Sequence, residues 1–176
     1  MTTRHLVDPE LAAILDQIPA SVPTTETLGQ IRAMSSRASA NLPPSSSTLS
    51  VNERFIPGPE GAPDVRVLVY YPAASVQRPL PVLLWLHGGG YIMGSANAED
   101  PMARSIVSTV GCAVISVDYR LAPETPHPGP VEDCYAALKW LSTHANELDI
   151  DPERIAVGGS SAGGGLAAAL ALLARD

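Results

Sequence analysis

The chain has 176 residues, of which 45% are hydrophobic and 16% charged, and it carries a formal net charge of -7 at pH 7. This balance predicts a folded globular domain with a sizeable core and excludes a disordered chain. The negative charge argues against nucleic acid or an anionic membrane surface as a partner. The N-terminus "MTTRHLVDPE" lacks a signal-peptide pattern and no apolar stretch is long enough to cross a bilayer, so we expect a cytoplasmic protein without membrane insertion.

Residues 1–45 are predicted to form two short helices and a linker. Asp8 is placed to cap a helix that has Pro9 at its first position. A weaker helix is expected at about residues 25–38, and the "NLPPSSSTLS" that follows is typical of a linker. The apolar face of the first helix comprises Leu11, Ile14, Leu15 and Ile18. This face either covers a substrate pocket or packs on the main core, and core packing is the simpler expectation.

A strand pattern begins at Ser50. The segments "VNERFIP" and "DVRVLVYYP" predict an antiparallel hairpin, and "PVLLWLHG" is a continuous apolar run typical of a buried parallel strand. Helices at about 97–110, 131–148 and from 161 onward then alternate with the strands "CAVISVDY" and "RIAVGG". Residues 46–176 are therefore predicted to fold as an α/β domain with a mostly parallel sheet.

The two cysteines, Cys112 and Cys134, lie in apolar segments. Neither has a second Cys or His at zinc-like spacing. We therefore expect two buried, reduced thiols and no metal site.

A serine stands between glycines where a predicted strand meets a predicted helix. Residues 159–163 read "GSSAG" and match the G-x-S-x-G pattern with Ser161 at its centre. Such a turn forces the serine into a strained backbone conformation with its hydroxyl projecting from the sheet, and the flanking glycines remove Cβ atoms that would collide. The pattern favours a nucleophile at Ser161; the alternative is a small residue in a glycine-rich bend.

A second glycine-rich stretch, "HGGGY" at residues 87–91, directly follows the long apolar strand. It therefore lies at the carboxyl end of a strand, where α/β sheets bind ligands. Consecutive glycines let backbone N–H groups turn toward one point, as an acyl-transfer enzyme needs for the oxygen that becomes negative in the tetrahedral intermediate. The N–H of Ala162 would be a further donor, at the start of a helix whose dipole favours negative charge. A glycine-rich turn without chemistry is the alternative.

Phosphate binding fits these glycines poorly. A Walker loop ends in Gly-Lys-Ser/Thr, and "GGSSAGGG" contains no lysine. A dinucleotide fingerprint follows the first strand of its βαβ unit and has an acidic residue downstream. Neither condition is met.

These motifs resemble the hormone-sensitive-lipase-like branch of the α/β-hydrolase carboxylesterases. The likeness rests on "HGGGY", on "DYRLAPE" at 118–124 and on "DPERIAVGGSSAGGGLAA" at 151–168, in this order and spacing, and covers about residues 50–176. It is nearest to bacterial members that hydrolyse small acyl esters, the heroin-esterase type included. The resemblance implies an α/β-hydrolase fold, N-terminal helices that form part of a cap over the acyl pocket, and no cofactor.

The same resemblance assigns roles to individual residues. Ser161 would be the nucleophile, and the oxyanion donors would be Gly89, Gly90 and Ala162. The residues that support the two motifs are His87, Gly88, Gly159 and Gly163. Structural bracing of the site is expected from Tyr119, Arg120 and Glu124.

The histidine and acid of a serine-hydrolase triad are missing from the expected place. In this fold they follow the serine in the order Asp/Glu, then His, but the residues after Ser161 contain Asp176 and no histidine. All four histidines precede the serine: His5, His87, His127 and His144. We expect His87 to hold the glycine turn and His144 to lie at the surface, which leaves His127 as the one conceivable substitute.

We therefore expect this chain to be the N-terminal portion of a longer enzyme, the rest being truncated or carried by a separate chain. An apolar "RIAVGG" strand at an open sheet edge would otherwise be prone to pairing with other chains. The main hypothesis is a serine carboxylesterase acting on small, short-chain, uncharged acyl esters. The alternatives are a receptor-like small-molecule-binding protein on the same fold, or an inactive fragment. The oligomeric state is open, with a homodimer among the options.

Overall fold

The computed structural model describes residues 3–17, 23–40, 49–73 and 78–175. The chain divides into two compact units, Met1–Ile31 and Arg32–Asp176. The predicted domain boundary at residue 45 and most of the predicted linker lie outside the described residues.

The N-terminal unit contains a 3-10 turn, Arg4–Leu6, and the helix α1, Pro9–Leu15. The Asp8 carboxylate accepts a hydrogen bond from the Glu10 backbone N–H at 2.9 Å, which confirms the predicted helix start. Ile18, predicted for the apolar face, lies outside the described residues. The surface on which this face packs stays a prediction. The helix α2, Leu28–Ala40, begins in this unit and continues into the second one.

Among the described residues, five strands of the second unit form one mixed sheet in the order β1-β2-β4-β3-β5. Their bounds are Ser50–Ile56 for β1, Val65–Tyr71 for β2, Leu80–Leu86 for β3, Ala113–Asp118 for β4 and Ile150–Gly159 for β5. β1 pairs antiparallel with β2, which confirms the predicted hairpin, and β2 also pairs antiparallel with β4. β3 pairs parallel with both β4 and β5. The sheet expected to be mostly parallel is thus a three-stranded parallel core extended by an antiparallel hairpin.

Three helices of this unit follow or join the strands of the parallel core: α3 at Asp100–Val110, α4 at Gly129–Thr143 and α5 at Ala162–Arg175. All three were predicted, although α4 ends five residues earlier than its predicted end at 148. The chain leaves α4 through tight turns, in which the Ile150 N–H donates to the Ala145 carbonyl at 2.9 Å, and Asp149 has a φ of 56°. β5 therefore begins at once after these turns.

The sheet carries an apolar cluster on each face. Along β2, Val65, Val67 and Val69 pack in the cluster that includes α4 and α5, whereas Leu68 and Tyr70 pack in the cluster that includes α3. This alternation is the two-residue period of a strand that is buried on both faces. It explains why β2 and the parallel strands are apolar almost throughout.

The parallel pairing of β3 with β5 brings the ends of these two strands together. Leu86 and Gly159 are register partners, so the glycine-rich stretch after β3 and the serine turn after β5 leave the sheet side by side. Within the described ranges β5 pairs only with β3, and it forms the sheet edge that the sequence predicted. The structure thereby joins two motifs that are about 70 residues apart in the chain.

Cys112 and Cys134 are buried and form no disulfide, as expected. Burial raises the pKa of the Cys134 thiol, because the thiolate is disfavoured away from water. In the part of the chain that the structure describes, no helix has both the length and the apolar character required to cross a membrane.

Candidate active site

Ser161 lies in a sharp turn between the last residue of β5 and the first residue of α5. Its φ is +50°, a left-handed conformation that costs a non-glycine residue about 1–3 kcal/mol and needs support from its surroundings. The Ser160 N–H donates to the Leu86 carbonyl at 3.1 Å, which fastens the turn to the end of β3. The Gly164 N–H donates to the Ser161 carbonyl at 2.9 Å and starts the helix. Ser161 itself is exposed.

The positions on either side of this turn need glycine for a steric reason. A Cβ on Gly159 would lie 2.4 Å from the Gly163 carbonyl carbon, and a Cβ on Gly163 would lie 2.0 Å from the Leu86 carbonyl oxygen. Both contacts are with backbone atoms, which cannot turn aside as a flexible side chain would. Helix α5 can therefore approach the end of β3 closely only because these two positions lack a Cβ.

The loop after β3 has an unusual backbone conformation. Three consecutive residues have positive φ: Gly89 at 120°, Gly90 at 62° and Tyr91 at 65°. The Gly89 carbonyl accepts the N–H groups of Ile92 and Met93 at 3.1 and 3.0 Å, which closes the loop into a tight turn. We call residues 88–94 the glycine loop.

The glycine loop lies against the serine turn. A Cβ placed on Gly88 would lie 3.3 Å from the Ser160 Oγ and 3.5 Å from the Ser161 Cβ. The structure therefore brings the two predicted motifs together, with Gly88 in the contact between them.

Three backbone N–H groups in the glycine loop and at the start of α5 have no hydrogen-bond acceptor within the described part of the chain. Among the described residues, the N–H groups of Gly89, Gly90 and Ala162 donate to no protein acceptor, whereas the Gly88 N–H points to the Glu99 carboxylate at 3.5 Å. Free N–H groups of this kind can receive an oxygen that carries negative charge. Ala162 is also the first residue of α5, where the helix dipole favours such a charge.

His87 is a buried part of the support beneath the loop. Its Nδ1 lies 2.7 Å from the Gly88 carbonyl oxygen, which can only accept, so Nδ1 carries the hydrogen. The ring stacks on Tyr119 with centroids 4.0 Å apart, and the Tyr119 hydroxyl donates to the His87 carbonyl at 2.7 Å. Burial lowers the pKa of His87, so the ring is neutral at neutral pH. The ring serves the loop as a brace.

Arg120 is held by an acid that no sequence motif pointed to. Asp133 on α4 is fully buried, and its carboxylate accepts hydrogen bonds from the Arg120 backbone N–H at 2.9 Å and from the guanidinium at 2.7–3.0 Å. A signal was present, because Asp133 lies on the apolar face of α4, one turn from the buried Pro130 and Ala137. An acid on such a face needs a partner.

Glu124 is bound by Arg32 of α2, at 2.8 and 3.0 Å from two guanidinium nitrogens. This pairing holds the pKa of Glu124 below its usual range. The expected bracing residues Tyr119, Arg120 and Glu124 thus all bind neighbouring segments. No sequence pattern identified Arg32, since a single arginine on a short helix is unremarkable.

The other three histidines make no hydrogen bond to Ser161 in the described part of the chain. His144 is exposed, and its Nδ1 donates to the Trp140 carbonyl at 2.9 Å, in agreement with a surface role. His127 is exposed and borders a cavity of about 480 Å³. The cavity lies beside Gly90 and Tyr91, and its wall is completed by apolar side chains of α4 and α5. His5 belongs to the N-terminal unit.

The mixed sheet with helices and the strand–turn–helix at Ser161 agree with an α/β-hydrolase fold. A family model described as alpha/beta hydrolase fold matches residues 83–176, and the chain belongs to this family.

Relatives and solved structures agree with this assignment. The chain is 41% identical over 170 residues to carboxylesterase NlhH of Mycobacterium tuberculosis. This match covers 97% of this chain and 52% of the relative. It is 44% identical over 113 residues to an arylesterase of Saccharolobus solfataricus, covering 64% and 36%. A solved bacterial heroin esterase superposes with a TM-score of 0.83 at 46% identity, covering 99% of this chain and 55% of that one. The chain thus spans about half the length of the carboxylesterase and of the heroin esterase.

Proposed function

We propose that the protein hydrolyses short-chain, uncharged carboxylic esters through an acyl-enzyme on Ser161. The observation that carries this proposal is the strained, exposed serine in a turn that contacts the glycine loop, together with the N–H groups of Gly89, Gly90 and Ala162, which donate to no protein acceptor among the described residues. The names of the relatives, carboxylesterase and arylesterase, support the same reaction class. The apolar wall of the cavity beside Gly90 favours an uncharged ester.

In the proposed first step the Ser161 Oγ attacks the ester carbonyl carbon, and the carbonyl oxygen becomes negative. The N–H groups of Gly89, Gly90 and Ala162 donate to this oxyanion, and each such donor contributes about 3–4 kcal/mol to the transition state. Collapse of the tetrahedral intermediate breaks the bond to the alcohol, which leaves with a proton. Water then attacks the acyl-enzyme, and a second tetrahedral intermediate releases the acid and restores Ser161.

The proton transfers need a histidine, oriented by a carboxylate. We propose that both are contributed by residues other than the 176 of this chain. Two observations support this: carboxylesterase NlhH and the heroin esterase are about twice as long, and no histidine among the described residues makes a hydrogen bond to Ser161.

The test compares Ser161→Ala with the matched variant Ser160→Ala in the protein expressed from its whole reading frame. Hydrolysis of p-nitrophenyl butyrate should fall by about 10⁴-fold or more in Ser161→Ala, because the nucleophile is lost. Ser160→Ala should retain activity within about threefold. A fluorophosphonate should add its mass to the peptide that contains Ser161.

Equal activity in the two serine variants would remove Ser161 as nucleophile. Binding of esters without any turnover in the intact protein would favour the receptor-like alternative. Turnover that depends on Ser161 but rises with acyl chain length would contradict the short-chain preference alone.

A further inference from the structure

Arg32 of α2 binds both the glycine loop and the segment at residues 122–124 with its guanidinium. Its Nε donates to the Ile92 carbonyl at 2.7 Å, and one terminal nitrogen donates to the Ala122 carbonyl at 2.7 Å. The two terminal nitrogens also bind the Glu124 carboxylate. The Arg32 side chain is 26% exposed, so these bonds are partly shielded from water.

The carbonyls of residues 91 and 92, which follow Gly90 directly, are both held from outside the loop. The Ala122 N–H donates to the Tyr91 carbonyl at 2.9 Å, and Arg32 binds the Ile92 carbonyl. Arg32 also binds the Ala122 carbonyl, so the residue that holds Tyr91 is itself held by the side chain that binds Ile92. Positive φ at Tyr91 is costly for a residue with a Cβ and persists only where neighbouring groups over-determine it.

We propose that Arg32 is a positioning residue that keeps the Gly89 and Gly90 amides aimed at the ester oxygen. The inference rests on the proposed function, because it assigns these amides to the oxyanion. Arg32 makes no hydrogen bond to Ser161 and is not among the residues that line the cavity beside Gly90; it acts through the Ile92 carbonyl, two residues beyond Gly90.

The geometry favours arginine over lysine at this position. A guanidinium presents its N–H groups in a planar fork and can serve two carbonyls and a carboxylate at once, whereas a lysine ammonium is a single point charge. Glu124 is 64% exposed and orients the fork from the solvent side. The two carbonyl bonds, rather than the ion pair, therefore transmit the effect to the loop.

The test measures kinetics of Arg32→Met, Arg32→Lys and Glu124→Gln beside wild type in the whole protein. Arg32→Met should lower kcat for p-nitrophenyl butyrate by about 10–100-fold, since a displacement of about 1 Å in a catalytic group costs up to 10²-fold. KM should stay within about threefold, because the lost interaction matters in the transition state. Arg32→Lys should lie between, and Glu124→Gln should lose less than about threefold.

A transition-state analogue separates this role from general support of the fold. Butylboronic acid adds to the serine and places a negative oxygen among the amides, so its inhibition constant should rise in Arg32→Met by the same factor as kcat/KM falls. Arg54→Met, which removes the exposed ion pair with Glu147, should leave both quantities unchanged. Thermal melts of every variant identify any loss of folded protein, and Arg32→Lys provides the measurement if Arg32→Met does not fold.

An unchanged kcat in the folded Arg32 variants, or a lower kcat with unchanged boronate affinity, would overturn the positioning role while leaving Ser161 as nucleophile. Wild-type turnover equal to that of Ser161→Ala would instead overturn the proposed function, and the Arg32 inference with it.

Discussion

The close approach of α5 to β3 predicts different outcomes for two neighbouring glycine variants. In Gly163→Ala the new Cβ would lie 2.0 Å from the Leu86 carbonyl oxygen and 2.6 Å from the His87 carbonyl oxygen. Real Cβ atoms stay beyond 3.0 Å, so the backbones must separate by about 1 Å. In Gly164→Ala the nearest atom is the Gly159 carbonyl oxygen at 3.3 Å, which needs a shift of only a few tenths of an ångström.

The two variants should differ clearly in stability. Overpacking against unyielding backbone costs about 2–3 kcal/mol in Gly163→Ala. Gly164→Ala gains up to about 1 kcal/mol from the better helix propensity of alanine, which offsets its slight crowding. For a domain of about 150–250 residues, a difference of about 3 kcal/mol corresponds to roughly 6–12 °C in Tm.

Circular dichroism melts of the two variants and wild type measure this difference. Because the strain falls on the serine turn, Gly163→Ala should also lose ester hydrolysis at temperatures where it is still folded. On this reasoning, the absence of a Cβ at 163 sets the distance between α5 and β3. That explanation would be refuted if the melting temperatures of Gly163→Ala and Gly164→Ala agreed within about 1–2 °C.

Two other expected outcomes follow from buried groups. Asp133→Ala leaves the Arg120 guanidinium, which is 28% exposed, without its partner. The free energy of unfolding measured by urea titration should fall by about 3 kcal/mol. A loss under about 1 kcal/mol would contradict the importance of the pair. Burial raises the pKa of the Cys134 thiol, so Ellman's reagent at about pH 8 should label Cys134 only after unfolding. Rapid labelling of Cys134 in the native protein would show instead that the thiol is accessible.

Much of the fold and both motifs of the candidate site could be predicted from the sequence. The hairpin of β1 and β2, the apolar strand β3 and the start of α1 at Asp8 follow from short-range patterns of apolar residues, turns and caps. The turn at Ser161 was predictable for the same reason, since the need for glycine on both sides of a cramped residue is a local steric rule. The roles of these residues in ester hydrolysis stay a prediction.

The order of the strands and the supports of the glycine loop were decided only by the tertiary structure. β4 lies between β2 and β3 and pairs with one antiparallel and with the other parallel, an outcome that the apolar pattern of a strand buried on both faces does not distinguish. Arg32 and Ile92 are 60 residues apart, and Asp133 is 13 residues from Arg120. Local periodicity indicates which segments are strands and helices. Hydrogen-bond partners that meet only in the folded chain have no regular spacing in the sequence, so periodicity does not identify them.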